Sequence, residues 1–192
     1  FFLTIGLPVR DDAWLAGFTK GMTELSRQAG CPLLGGDTTR TAKVGDIHAP
    51  VTISITAMGE LPQSMGLTRA GARPGDDIWV SGCVGGAWAA LMHRWGKLTL
   101  DARVFPSAAL AMDRPNPRNA LGTALLSSAT ACADISDGLA QDLGHILERS
   151  GVDADVLWDA VPKHPALAAL SQEQQVEAAM SCLLYTSDAA DE

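Results

Sequence analysis

Two short segments hold the residues best suited to chemistry. Gly35-Gly36-Asp37-Thr38-Thr39-Arg40 and Asp134-Ile135-Ser136-Asp137-Gly138 each combine carboxylate, hydroxyl and glycine. Oxygen donors of this kind suit a hard cation such as magnesium, which is often held beside phosphate groups. Glycine lets a ligand approach the main chain closely. For either segment alone a plainer reading stays open: a strand-end turn around Asp37, and Asp137 as a helix cap. Occurring together, they point to one phosphate and metal site and to nucleotide chemistry.

The elements around these segments must position them. Phe1 to Ile5 reads as a buried strand ended by Pro8, and Asp11 or Asp12 can cap a helix carrying Leu15, Phe18, Met22, Leu25 and Ala29 on one face. Gly30 closes that helix. Cys31 to Leu34 is predicted as a short strand leading into the first acidic segment, residues 41–50 as a hairpin or loop, and Val51, Ile53, Ile55 and Ala57 as an alternating strand. The order is β-α-β-β. A turn-rich stretch from Leu61 to Asp76 places a domain boundary near residue 62.

Beyond the boundary, Ile78-Trp79-Val80 is predicted as a strand, Gly82 to Gly86 as a turn, and about Ala87 to Trp95 as a helix. Arg114 to Arg118 breaks the chain before another helix from about Asn119 to Ser128. A short strand near Ala131 to Ile135 would set Asp134 and Ser136 on one side, because strand side chains alternate. Asp137 would then cap a helix whose apolar face is Leu139, Leu143, Ile146 and Leu147, with Gly151 just past its end. The N–H groups at such a helix start attract anions.

The totals exclude several classes. The 192 residues are 47% hydrophobic and 19% charged, the proportions of a folded globular protein of one or two domains. A formal charge of −8 argues against nucleic acid as partner, since that contact needs basic patches. Cys31, Cys83, Cys132 and Cys182 are scattered without a paired spacing, so neither a zinc site nor a disulfide framework is expected. His48, His93, His145 and His164 also lack metal spacing. No apolar run reaches the ~18 residues of a membrane span, and a cytoplasmic protein is expected. Neither Gly-x-x-x-x-Gly-Lys-Ser/Thr nor Gly-x-Gly-x-x-Gly occurs, and Gly82-Cys83-Val84-Gly85-Gly86 reads as a strand-to-helix turn. The chain opens in mid-pattern without an initiator Met and reads as an internal fragment.

At its acidic segments the chain resembles the thiamine-monophosphate kinases, members of the aminoimidazole ribonucleotide synthetase-like superfamily. The resemblance runs from Leu34 to Arg40, through Val51 to Glu60, Thr68 to Asp76 and Val80-Ser81-Gly82, to Ala133 to Leu139 and Asp142 to Ile146. It implies an α/β (α+β) fold: the later part of an N-terminal mixed-sheet ATP- and metal-binding domain in residues 1–62, and the first part of a second α+β domain in residues 63–181. It implies that Gly36, Asp37, Arg69 and Ser136 contact ATP and that Asp37, Asp134 and Asp137 bind Mg2+. No catalytic acid or base is expected. A phosphate monoester has its second pKa near 6, so its oxygen is already largely ionised at neutral pH, and alignment and charge neutralisation remain to be supplied. The family's reaction carries the γ-phosphoryl group of ATP to thiamine phosphate, and its members are homodimers that pair N-terminal sheets.

The chain departs from the family pattern in three places. An N-terminal stretch with further carboxylates is missing. Thr19 stands where some relatives have Tyr, and Gly86 where many have Asp. After Ser181 the family pattern Gly-Gly-Glu-Asp-Tyr-Glu is replaced by Cys182 to Glu192, and residues 182–192 read as a non-native tail. Two other readings stand beside the kinase: another ATP-dependent superfamily member, such as a selenophosphate or aminoimidazole ribonucleotide synthetase, and a non-catalytic nucleotide-binding or dimerising piece.

Overall fold

A computed structural model describes residues 1–45, 47–61 and 66–180. Residues 182–192, which read as a non-native tail, lie outside the described residues. The chain forms two compact units, residues 1–64 and 65–192. The fold is mixed α/β, as the sequence predicts.

In the first unit, β1 (Phe2–Leu7) is the middle strand of a three-stranded sheet. Helix α1 (Asp12–Ala29) follows, and β2 (Gly35–Arg40) returns parallel to β1. The short strands β3 (Lys43–Val44) and β4 (Ile47–His48) pair as a hairpin, and β5 (Thr52–Thr56) runs antiparallel to β1 on its other side. The parallel return needs a crossover, which α1 supplies. Asp11 caps α1 by accepting from Trp14 N–H at 3.0 Å, and Gly30 ends it in the left-handed conformation, φ 62°. Leu15, Phe18, Met22 and Ala29 form the half-buried stripe of this helix.

One expectation shifts here. Cys31 to Leu34 is not a strand; the acidic segment itself is β2. Leu34 donates to the Phe1 carbonyl at 2.8 Å, so pairing with β1 only begins as the glycines are reached. Pro32 has no N–H to give to a ladder.

The second unit is built on helices. α2 (Gly86–Arg94) packs on α3 (Phe105–Asp113), with Trp88, Ala89, Ala90, Met92, Leu100 and Ala108 buried together. α4 (Asn119–Leu125) and α5 (Leu139–Ser150) follow, then two short 3-10 turns and α6 (Gln172–Met180). Leu139 of α5 joins Val84, Val161 and Ala179 in a second apolar cluster. Neither α3 nor α6 is among the helices read from the sequence. Both carry start signals: Pro106 in the first turn of α3, and at α6 a capping box in which Ser171 and Gln174 each accept the other's N–H, at 3.3 and 3.2 Å.

The strands expected at Ile78 to Val80 and Ala131 to Ile135 are not strands in the structure. Cys132 gives its N–H to the Thr68 carbonyl at 2.9 Å, but no ladder forms there. A strand is defined by its neighbour, and local apolar pattern cannot supply one. Between Val84 and Lys163 there is a single parallel bridge.

Candidate functional site

In the first unit, β2 sets Asp37 opposite Thr4 of β1, with Gly36 opposite Leu3. The Asp37 side chain is exposed. Gly36 is required by packing: a Cβ built on it would lie 1.8 Å from the Leu3 carbonyl oxygen. That space is filled by β1, so the close approach of the two strands accounts for the glycine. At Gly35 a Cβ would meet the Phe2 ring at 3.6 Å, so the first glycine is less constrained.

In the second unit, Asp134 and Ser136 are exposed and Asp137 is half-buried. The cap of α5 differs from expectation. Gly138, not Asp137, occupies the N-cap, with φ 110° and no side-chain cap bond. The φ value explains the choice, since only glycine adopts it without strain. The loop just before the cap is instead held from within the helix. Asp142 is 2% exposed, and its Oδ2 accepts from Ser136 N–H at 2.8 Å and from Asp137 N–H at 2.9 Å. Its Oδ1 is buried without a partner among the described residues.

Arg69 lies in a loop held from two sides. Ser150, the last residue of α5, accepts from Gly71 N–H at 3.2 Å and Ala72 N–H at 3.1 Å, and donates to the Arg69 carbonyl at 3.3 Å. Gly71 passes so close to the 130–132 segment that a Cβ would sit 2.4 Å from the Thr130 carbonyl oxygen. Asp76 closes the loop by accepting from Thr130 Oγ1 at 2.6 Å and Arg73 N–H at 2.9 Å. Those two bonds, the Thr130 hydroxyl first, hold its carboxyl below the usual aspartate range. The Arg69 side chain itself is exposed.

Asp142 and Ser150 are functional candidates that the sequence reading passed over. A signal for Asp142 exists: it stands three residues after Leu139 and beside Leu143, a carboxylate on the apolar stripe of its own helix. Nothing local marks Ser150, whose partners are 78 and 79 residues away.

The glycine turn at 82–86 serves packing. Gly85 has φ 85°, and a Cβ there would lie 2.5 Å from Leu167 Cδ1; at Gly86 a Cβ would meet the His164 ring at 2.8 Å. An aspartate in place of Gly86 would therefore have to displace His164. That imidazole accepts from Ala166 N–H at 3.1 Å, and burial pushes its pKa down.

Among the described residues no three His, Cys, Asp or Glu side chains converge as a metal cage. Magnesium does not need one. It keeps several waters and is commonly held by one or two carboxylates together with substrate phosphates. Taken unit by unit, the exposed Asp37 of the first and the exposed Asp134 and half-buried Asp137 of the second are carboxylates of the kind that mode uses.

Residues 1–61 match the AIR synthase related protein, N-terminal domain. Over most of its length the chain is similar to thiamine-monophosphate kinases. It is 37% identical over 185 residues to the enzyme of Caulobacter vibrioides, covering 94% of this chain and 50% of the relative. It is 37% identical over 169 residues to that of Salmonella typhimurium, covering 86% and 49%. The crystal structure of the Stenotrophomonas maltophilia enzyme superposes with a TM-score of 0.82 at 38% identity, over 94% of this chain and 57% of that one. A structure described as AaThiL complexed with AMPPCP and TMP shares the fold, with a TM-score of 0.71 at 22% identity, over the same shares of the two chains. The chain spans about half the length of the curated relatives it matches.

Proposed function

We propose that this chain is part of a thiamine-phosphate kinase, an ATP-dependent phosphotransferase that converts thiamine phosphate to thiamine diphosphate. The observation that carries this reading is the 134–138 loop, whose Asp134 and Ser136 side chains are exposed while its main chain is pinned by the buried Asp142. A rigid, outward-facing set of carboxylate and hydroxyl oxygens suits phosphate and metal binding. The kinase relatives, and the AMPPCP and TMP named in the complex of one structural neighbour, support ATP and thiamine phosphate as the ligands.

In this reading Gly36, Asp37, Arg69 and Ser136 contact ATP, and Asp37, Asp134 and Asp137 hold Mg2+. Bound magnesium would neutralise the charge of the phosphate groups. Residues 1–62 would be the ATP- and metal-binding part and residues 63–181 the start of the second domain. The chain's own residues orient and bind. No side chain is asked to take a proton, because the acceptor phosphate oxygen is already ionised at neutral pH.

The reading extends to a homodimer that works in the cytoplasm. Edge strand β5 supports the dimer: Ile53 and Ile55 are 43% and 55% exposed on a strand with a free edge among the described residues. No helix among the described residues is long and apolar enough to cross a membrane. The test of the functional reading is Asp37→Asn in the full-length protein. Magnesium-dependent formation of thiamine diphosphate should fall by at least about 100-fold, on the scale of losing a positioned charge in a phosphoryl-transfer site. Turnover at the native rate would refute the metal assignment.

A further inference from the structure

We propose that α5 is a splint that sets Arg69 and the Asp134-Ser136-Asp137 loop at a fixed separation, with Asp142 and Ser150 as its two positioning residues. The inference rests on the kinase reading for its catalytic consequence, but not for its geometry.

The two ends of one helix each hold one of the loops that carry candidate ligands. At the N-terminal end the Asp142 carboxylate takes the N–H groups of Ser136 and Asp137 at 2.8 and 2.9 Å. At the C-terminal end Ser150 takes those of Gly71 and Ala72 and returns its proton to Arg69 O. Eight residues separate the two clamps, which at the helical rise of ~1.5 Å per residue is about 12 Å. A helix is the stiffest spacer a chain of that length can make, and Leu139 anchors it in the apolar cluster with Val84, Val161 and Ala179.

The chemistry of each clamp fits its role. A buried carboxylate forms charge-assisted bonds to N–H groups, roughly twice as strong as neutral ones. Placed four residues into the helix, Asp142 serves main-chain donors that precede the helix and that no side chain at Gly138 can reach. Ser150 makes three bonds with one small hydroxyl, two as acceptor and one as donor, which uses its full capacity. Neither side chain is placed to touch a ligand through these contacts. Both fix main chain of loops in which the Asp134, Ser136 and Arg69 side chains are exposed.

Amide hydrogen exchange and steady-state kinetics on Asp142→Ala, Asp142→Asn and Ser150→Ala test this together. Asp142→Ala should speed exchange at Ser136 and Asp137 by at least about tenfold, the scale of a lost bond to a charged group. Asp142→Asn keeps one oxygen for both N–H groups and should retain most of the protection. Ser150→Ala should speed exchange at Gly71 and Ala72 and leave residues 136–137 unchanged. In the full-length protein, Asp142→Ala should raise the magnesium concentration needed for half-maximal rate, with Asn restoring it. Ser150→Ala should instead raise KM for ATP, with KM for thiamine phosphate within about twofold of native. Should Asp142→Ala fail to fold, Asp142→Ser, a smaller side chain without the charge, reads the first clamp by the same measurements, and Ser150→Ala reads the second.

Faster loop exchange with native kinetic constants would overturn the positioning role while leaving the kinase reading intact. Unchanged exchange in both alanine variants would overturn the splint itself. A native protein without kinase activity would overturn the functional reading and the catalytic half of this proposal, and exchange would still decide whether α5 holds the loops.

Discussion

Replacing Gly36 by alanine tests how far the first acidic segment depends on the sheet. The added Cβ would stand 1.8 Å from the Leu3 carbonyl oxygen, and the next contacts, to Leu3 C and N at 2.8 and 3.0 Å, are also main chain. No side-chain rotation relieves it. Reaching an ordinary contact of 3.4 Å means opening the β1–β2 ladder by about 1.6 Å at that point, enough to break the neighbouring bonds. Overpacking of this kind costs about 1–3 kcal/mol and each lost ladder bond about 0.5–1.5 kcal/mol, so about 3–5 kcal/mol is expected. A domain of ordinary stability has only about 5–15 kcal/mol to lose.

Thermal unfolding followed by circular dichroism reads the effect, with Gly59→Ala as control because nothing lies within 4 Å of a Cβ there. Gly36→Ala should melt at least about 12 °C below native in the transition of the first unit, while the control stays close to native. If the two variants melted together, the close approach of β2 to β1 would be wrong, and with it the register that sets Asp37 opposite Thr4.

Two further outcomes follow from the same structure. His164 has its pKa pushed down by burial, and its Nδ1 accepts a bond that only the neutral ring can accept. The unfolded chain therefore binds the proton first, so stability is full above the ordinary histidine value of about 6.5 and is lost as pH falls through and below it. Melting of the second unit between pH 8 and pH 5 should show that slope, and His164→Gln should flatten it; an unchanged slope would count against the burial argument. Asp11→Ala removes the cap that receives Trp14 N–H and should destabilise the first unit by about 1 kcal/mol in urea titrations, whereas Asp12→Ala, an exposed neighbour, should cost less.

Local pattern was enough to find the elements whose signals lie within a few residues. The α1 stripe, its Asp11 cap and Gly30 stop, the alternation of β5 and the apolar face of α5 are all properties of adjacent or helically spaced residues. Elements whose existence depends on a distant neighbour were read less well. Gly35 to Arg40 opens with two glycines and an aspartate, a poor strand composition, and only the β1 backbone decides that it pairs. Ile78 to Val80 has the strongest strand composition in the second unit, yet Trp79 is 87% exposed and unpaired among the described residues.

For the candidate site the same division holds. The sequence by itself determined the chemistry on offer, since Asp37, Asp134, Ser136 and Asp137 offer carboxylate and hydroxyl oxygens by residue type and spacing, and it carries the similarity to thiamine-monophosphate kinases. Tertiary structure decided what holds those residues. Gly138 takes the N-cap of α5 that the sequence assigns to Asp137, because it adopts a φ open to glycine, and Asp142 holds the main chain of the loop before it. Ser150 reaches Gly71 across 79 residues of chain. Ligand identity is written in side-chain chemistry, which is local, whereas position is set by main-chain contacts made after the chain has folded back on itself.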